Sequence, residues 1–420
     1  MKKQLLCTSA IALGVAAAPA AAQEWNLDWG GYYNVDVLFS DVGGNGIPAA
    51  ADLDGSTVFT NGELHFTPSV TLDNGLTFGA HIEMEALNGG GGTDGIDESY
   101  MFIEGDTMGR VEVGSENSAG FKLMTGAPSV GFGINSPSPS AYHPTAFSPA
   151  GGSAVFPALG TPGLAGRTAM VSSFTEVAGN NDVQRISYYT PSFNGLTLGV
   201  SYAPNGSNAN NAANAGMTNR NTTLNDVFDI GVNYSQTFGS VDLELAARWG
   251  TADAGKVFAA VAPGLDGILG TSDDILTPAI TQPGDPETWG VGARIGVAGF
   301  TFGGSYTENS SGAAFGVGDS EGWSAGVTYD LAGPWTIGFD TYQGEGKGNF
   351  NPATGARAKS EYEAYQIGAE RELGTGVAWR IYAIQSESSL SVNTPSFFAP
   401  GVSKVKVDAT TIGTGIRLNF

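Results

Sequence analysis

The feature that most constrains this chain is a hydrophobic period of two that recurs along its length, with connections that are alternately short and long. From Trp25, one face holds Trp25, Leu27, Trp29, Tyr33, Val35, Val37 and Phe39, and the other Asn26, Asp28, Tyr32, Asn34 and Asp36. Leu64, Phe66, Val70 and Leu72 alternate with Glu63, His65, Thr67, Ser69 and Thr71. After the turn Asp73-Asn74-Gly75, Leu76, Phe78, Ala80, Ile82 and Met84 alternate with Thr77, Gly79, His81, Glu83 and Glu85. Strict alternation of this kind marks strands with one apolar face, and Asn-Gly suits a tight hairpin. The pattern returns at Val241–Trp249, Trp323–Leu331, Val377–Ala383 and Ile412–Phe420.

Counted this way, the chain holds about sixteen strands of roughly 8 to 15 residues, a length suited to crossing a bilayer at a tilt. They start near Trp25, Gly62, Leu76, Asp97, Arg110, Val183, Leu196, Asp226, Val241, Glu287, Phe300, Glu321, Trp335, Glu361, Val377 and Lys404. Short connections fall near Asn74, Asp106, Asn194, Gly239, Gly299, Gly333 and Thr375. Long ones span roughly 40–61, 88–96, 117–182, 204–225, 252–286, 309–320, 344–360 and 388–403. A soluble sandwich would explain the alternation, because its apolar faces pack together. It would not explain the regular succession of loop lengths. Nor would it explain aromatics gathered at strand ends (Trp25, Trp29, Trp249, Trp289, Trp335), where a membrane interface places them. The expected fold is all-β, a transmembrane antiparallel barrel of about sixteen strands. Such a barrel satisfies every backbone group in lipid and is wide enough for an aqueous channel.

Composition agrees. Only 14% of the residues are charged, 63 are glycine, and 41 Asp and Glu against 18 Lys and Arg give a net charge of −23. No basic run is present to meet nucleic acid. Met1-Lys2-Lys3, the apolar run Leu5–Ala18 and Ala20-Ala21-Ala22 read as a signal peptide over 1–22. The expected mature barrel is 23–420, with a net charge of −25 and, once Cys7 is removed, no cysteine. No later segment has the 18 consecutive apolar residues of a membrane helix.

The sequence resembles the general diffusion porins of Gram-negative outer membranes, particularly those of α-proteobacteria, over the whole mature chain. The resemblance rests on Gly105-Asp106-Thr107-Met108-Gly109-Arg110-Val111-Glu112-Val113-Gly114, on Arg185-Ile186-Ser187-Tyr188-Tyr189-Thr190-Pro191-Ser192-Phe193-Asn194-Gly195-Leu196, and on the terminal Phe420. It implies a homotrimer, outer-membrane lipid and lipopolysaccharide as surroundings, and an assembly machinery that reads Phe420. It also implies that the 116–182 connection between strands five and six folds inward and narrows the pore. A loop this long, stiffened by Pro128, Pro137, Pro139, Pro144, Pro149, Pro157 and Pro162, either does this or lies outside.

The expected pore-lining and constriction residues are Glu63, His65, His81, Glu83, Glu85, Arg110, Glu116, Lys122, Arg167, Arg185, Arg248 and Arg294. The loop carries few charges and the early strands carry acids, a departure from the family pattern of acidic loop against basic wall. A weak cation preference is therefore expected. His65 should meet Glu83 across the hairpin, so His65 and His81 are either polar wall residues or a titrating or metal-binding patch; His143 stands alone in the long loop. Asp266-Gly267-Ile268-Leu269-Gly270-Thr271-Ser272-Asp273-Asp274 is either a solvated acidic loop or a Ca²⁺ site built on Asp266, Asp273 and Asp274. No other cofactor is expected. With three histidines and, once Cys7 is removed, no cysteine, the chain offers little for catalysis. The function expected is passive diffusion of small hydrophilic solutes and ions. The alternatives are a substrate-selective channel and a structural or adhesive surface barrel. Tyr32, Tyr189, Tyr342 and Tyr382 are the inward aromatics that selectivity could use.

Overall fold

A computed structural model describes residues 24–45, 47, 52–86, 95–135, 175–177, 180–206, 220, 224–254, 261–262, 275–276, 284–310, 319–351, 356–392 and 404–420. Sixteen strands close into one antiparallel barrel in which neighbours in sequence are neighbours in space. They are β1 (Asn26–Gly43), β2 (Gly55–Thr71), β3 (Thr77–Glu85), β4 (Ser99–Gly105), β5 (Gly109–Glu116), β6 (Val183–Tyr189), β7 (Leu196–Asn205) and β8 (Asn225–Phe238). The second half comprises β9 (Val241–Asp253), β10 (Glu287–Val297), β11 (Phe300–Ser310), β12 (Asp319–Asp330), β13 (Trp335–Asn351), β14 (Ala356–Gly374), β15 (Val377–Val392) and β16 (Lys404–Asn419). A further two-residue ladder, Val261–Ala262 with Ile275–Leu276, decorates the connection after β9.

Closure joins the first strand to the last, from Tyr32 opposite Asn419 to Gly43 opposite Asp408. At the end of this seam Gly31 and Phe420 exchange main-chain hydrogen bonds of 3.0 and 3.1 Å, and the Phe420 ring lies 5.6 Å from Trp29. The short turns carry the residues that tight hairpins need: Asn194 (φ 49°) and Gly195 (φ 86°) both adopt left-handed backbone.

The outer face is an apolar band left open to its surroundings. Trp29, Phe39, Ile367 and Ile412 are each more than half exposed, which in water would be a large standing cost and in lipid is none. Aromatic pairs edge the band. Trp335 and Trp379 (5.6 Å) join Trp29 and Phe420 near the short turns, and Trp289 with Tyr306 (5.3 Å) marks the long-loop side.

Several strand boundaries differ from the sequence expectation. β2 starts at Gly55 rather than near Gly62, and β13 and β14 run on through Glu345–Asn351 and Ala356–Glu361. Hydrophobic alternation ends where lipid ends, but the hydrogen-bonded ladder continues into water.

Candidate functional site: an inward loop clamped to the barrel wall

The connection between β5 and β6 enters the barrel immediately after Glu116. Ser118 caps a short helix, α1 (Ala119–Leu123), its Oγ accepting from Phe121 N at 3.2 Å. Its backbone N and Oγ both donate to Glu176, each at 2.6 Å, tying the outgoing limb to the returning one. Arg248 completes this post. Its buried guanidinium meets Asp229 and Glu176 and donates to the Thr175 carbonyl.

Residues 124–135 then run around the inner wall, and polar wall side chains hold them at successive strands. Asn233 on β8 donates to Leu123 O (3.1 Å), and Thr125 Oγ1 donates to Glu244 on β9 (3.1 Å). Arg294 Nε on β10 donates to Gly126 O (2.6 Å), and Ala127 N donates to Ser324 Oγ on β12 (3.2 Å). Gln366 on β14 pairs with both main-chain groups of Phe132 (2.8 Å each). Arg380 on β15 donates to Gly131 O (2.7 Å) while gripping Asp36 through Nε (2.9 Å) and Nη2 (2.5 Å). Phe132 and Ile134 bury themselves among Leu38, Tyr342, Tyr362, Tyr382 and Ile384. The apolar core of this protein thus lies inside its barrel, between loop and wall.

This path needs a wall without side chains along the loop's track. A Cβ added at Gly292 would sit 2.1 Å from Thr125 O, at Gly326 2.4 Å from Pro128 O, and at Gly368 2.1 Å from Val130 O. Only glycine allows backbone to approach backbone so closely. Gly199, Gly231, Gly303 and Gly338 make the same accommodation for Ala119, Pro128 and Val130.

The wall of β2–β5 has a different character. Tyr32 donates to Glu63 (2.7 Å), His65 Nε2 is 3.1 Å from Glu63 Oε2, and His81 Nε2 is 2.8 Å from Glu83 Oε1. Register sets Glu63 opposite Glu85 and His65 opposite Glu83, as the hairpin reading expected. Arg110 pairs with Glu104 and Glu112 (2.6 Å each) and covers the Phe102 ring at 4.0 Å. Lys122, projecting from α1, reaches Glu112 (2.9 Å) and Glu116 (2.6 Å) and lies over Tyr100. Burial works against the Lys122 charge, but Glu116 more than offsets it and raises its pKa. At the loop-side mouth, burial and the charge of Glu83 push Glu98 up to about 7. Burial, with Asp97, Glu98 and Glu176 nearby, pushes Asp182 up to about 8.

The site residues read from sequence therefore separate into three groups. Glu63, His65, His81, Glu83 and Glu85 form one continuous inward patch, and Arg110, Glu116 and Lys122 form an ion-pair network beside it. Arg185, Arg248 and Arg294, expected to line the pore, instead hold the loop. Arg185 donates to Asn180 O (2.7 Å), and Arg185 and Arg248 are only 3% and 4% exposed. Burial withdraws Arg185 and Arg248 from the water path, whereas Arg294 stays partly exposed beside the loop. Tyr342 and Tyr382 likewise seat Phe132 rather than line a track. Arg167, His143, the signal segment and the Asp266–Asp274 loop lie outside the described residues. Asp36, Gln366 and Arg380 are not among the site residues expected from sequence, although Asp36 falls on the polar face of its strand. The available signal was polar residues at inward positions of strands that otherwise present glycine.

No curated protein sequence matches the chain. Among solved structures, OmpT of Vibrio cholerae in its trimer form superposes with a TM-score of 0.55 at 13% identity, covering 94% of this chain and 99% of that one. The outer membrane channel DcaP of Acinetobacter baumannii gives 0.53 at 10% identity, covering 96% and 99%. The anion-selective porin of Comamonas acidovorans gives 0.51 at 16% identity, covering 94% and 100%. These likenesses establish the barrel architecture. The Gram-negative porin family itself matches residues 8–388, nearly the entire chain. This chain belongs to that family and is an outer-membrane channel protein.

Proposed function

We propose that the protein is a general diffusion channel for small hydrophilic solutes and ions, with a weak preference for cations. The distribution of charge inside the barrel carries this reading. Glu63, Glu83 and Glu85 line the early strands, interspersed with His65 and His81. Arg185, Arg248, Arg294 and Arg380 on the later strands are taken up by loop carbonyls and by Asp229 or Asp36. Arg248 and Arg380 are thereby neutralised by carboxylates and Arg185 is buried against the loop, while acidic charge remains on the early wall, where it raises the local cation concentration. The loop post at Glu176 and Arg248 supports a constriction fixed in place rather than a gate.

Trimerisation, surrounding lipid and lipopolysaccharide, a cleaved signal peptide, and recognition of Phe420 by assembly machinery belong to the same proposal and follow from family membership. The test is reversal potential across a planar bilayer in a salt gradient. Cation preference that falls when Glu63, Glu83 and Glu85 become Gln supports the reading; anion preference in the parent protein overturns it.

A further inference from the structure

We propose that His65, His81 and Glu83, with Glu63 beside them, form a binding site for a divalent first-row transition ion, such as Zn²⁺, on the barrel wall. The strand geometry assembles it. His81 and Glu83 are two residues apart on β3 and share the inward face, and register places His65 of β2 directly opposite Glu83. One ring nitrogen from each histidine and one Glu83 carboxylate oxygen all lie within 4.8 Å of one another. Individual separations are 2.8 Å for His81–Glu83 and 4.0 Å for His65–Glu83, and Glu63 Oε2 stands 3.1 Å from His65 Nε2. Tetrahedral Zn²⁺ with bonds of about 2.0–2.2 Å needs ligand atoms about 3.4 Å apart, so small side-chain rotations close the shell.

Two further observations set this cluster apart from a run of wall residues. Thr67 Oγ1 lies 2.8 Å from His81 Nδ1, a contact that orients the ring and leaves Nε2 aimed at Glu83; metal-binding imidazoles use such outer partners. The rings are also held in place from the sides, His65 against Tyr32 (6.4 Å), His81 against Tyr100 (5.2 Å), and each against the other (5.6 Å). The four side chains remain 17–28% exposed, so the site is open to solvent. Two imidazoles select transition ions over Ca²⁺ and Mg²⁺, which take oxygen ligands. The neighbouring Glu63–Glu85–Asp97 group is all oxygen and supplies the attraction for cations in general rather than the selectivity.

A bound ion adds two positive charges to an acidic stretch of wall and so lowers cation preference; this consequence rests on the channel reading, the site itself does not. The test is calorimetric titration of the full-length barrel in detergent with ZnCl₂ in excess Mg²⁺. One Zn²⁺ per chain is expected. His65→Gln and His81→Gln should each weaken binding at least tenfold, and Thr67→Val, which removes only the outer partner, by about 10- to 100-fold. Circular dichroism melts confirm that each variant is folded. No uptake, uptake displaced by Mg²⁺, or uptake untouched in both histidine variants overturns the site. In planar bilayers, Zn²⁺ should shift the parent's reversal potential toward anions and leave His81→Gln unchanged. A barrel that binds Zn²⁺ but passes no current overturns the channel reading and leaves the site standing.

Discussion

If the glycine track is what seats the loop, then methyl groups on it should release the loop while sparing the barrel. Consider Gly292→Ala with Gly368→Ala. Each new Cβ would sit 2.1 Å from a loop carbonyl oxygen, Thr125 O in one case and Val130 O in the other. Relief requires the loop to retreat by about 1 Å or more, since ordinary contacts begin near 3.4 Å. Such overpacking costs about 1–3 kcal/mol per site. The retreat also strains the adjacent charged hydrogen bonds, Arg294 to Gly126 O and Arg380 to Gly131 O, worth about 1.5–3 kcal/mol each. The two sites touch different residues and should add. Their sum, about 5–12 kcal/mol, spans upward from close to the roughly 5.5 kcal/mol that turns a 99:1 docked population into 1:99. Single-channel conductance and limited proteolysis of the 117–182 connection read the outcome, with Gly374→Ala, whose Cβ meets nothing within 4 Å, as control. The double variant should conduct more, admit larger solutes and expose the loop to protease. Parental conductance with a parental cleavage pattern would refute the reasoning.

Three other outcomes are expected. Arg380→Met strands the fully buried Asp36 carboxylate and should lower stability by about 3–5 kcal/mol; adding Asp36→Asn should restore most of it in thermal melts. Glu98 and Asp182 have folded-state pKa values raised to about 7 and about 8, so their contribution is fully present below about pH 4 and is lost as pH rises through those values. Protease resistance of the loop should therefore decline between pH 5 and pH 8.5, less so in Glu98→Gln/Asp182→Asn. Phe420→Ser removes the ring packed on Trp29 but keeps the seam's main-chain bonds. It should reduce the amount of barrel recovered in outer-membrane fractions while leaving refolding in detergent intact.

The barrel was legible in the chain because lipid imposes a strict rule on every strand: apolar outward, anything else inward. The strand count, the Asn194-Gly195 turn, the pairing of His65 with Glu83, and the 116–182 connection all follow from that alternation. The loop's seat was not legible, because inward positions obey no hydropathy rule. Gly292 and Gly303 carry no side chain to betray it, and the space they leave is filled by Thr125 and Pro128. Arg248 and Arg294 read as wall charges for the same reason. What decides their role is a carbonyl more than seventy residues away in sequence, Thr175 O for one and Gly126 O for the other. Periodicity carries no information about such partners. The ends of β13 and β14 were missed on separate grounds, since hydropathy reports lipid rather than hydrogen bonding.

The most direct test of the central claim, a water-filled channel narrowed by a wall-clamped loop and lined by acids, is planar-bilayer recording with neutral solutes of graded size under a salt gradient. The account predicts steady conductance that does not saturate, a sharp size cut-off that moves upward in Gly292→Ala/Gly368→Ala, and a reversal potential of cation sign. Negligible current, or anion preference with a size cut-off unmoved by those substitutions, would contradict it.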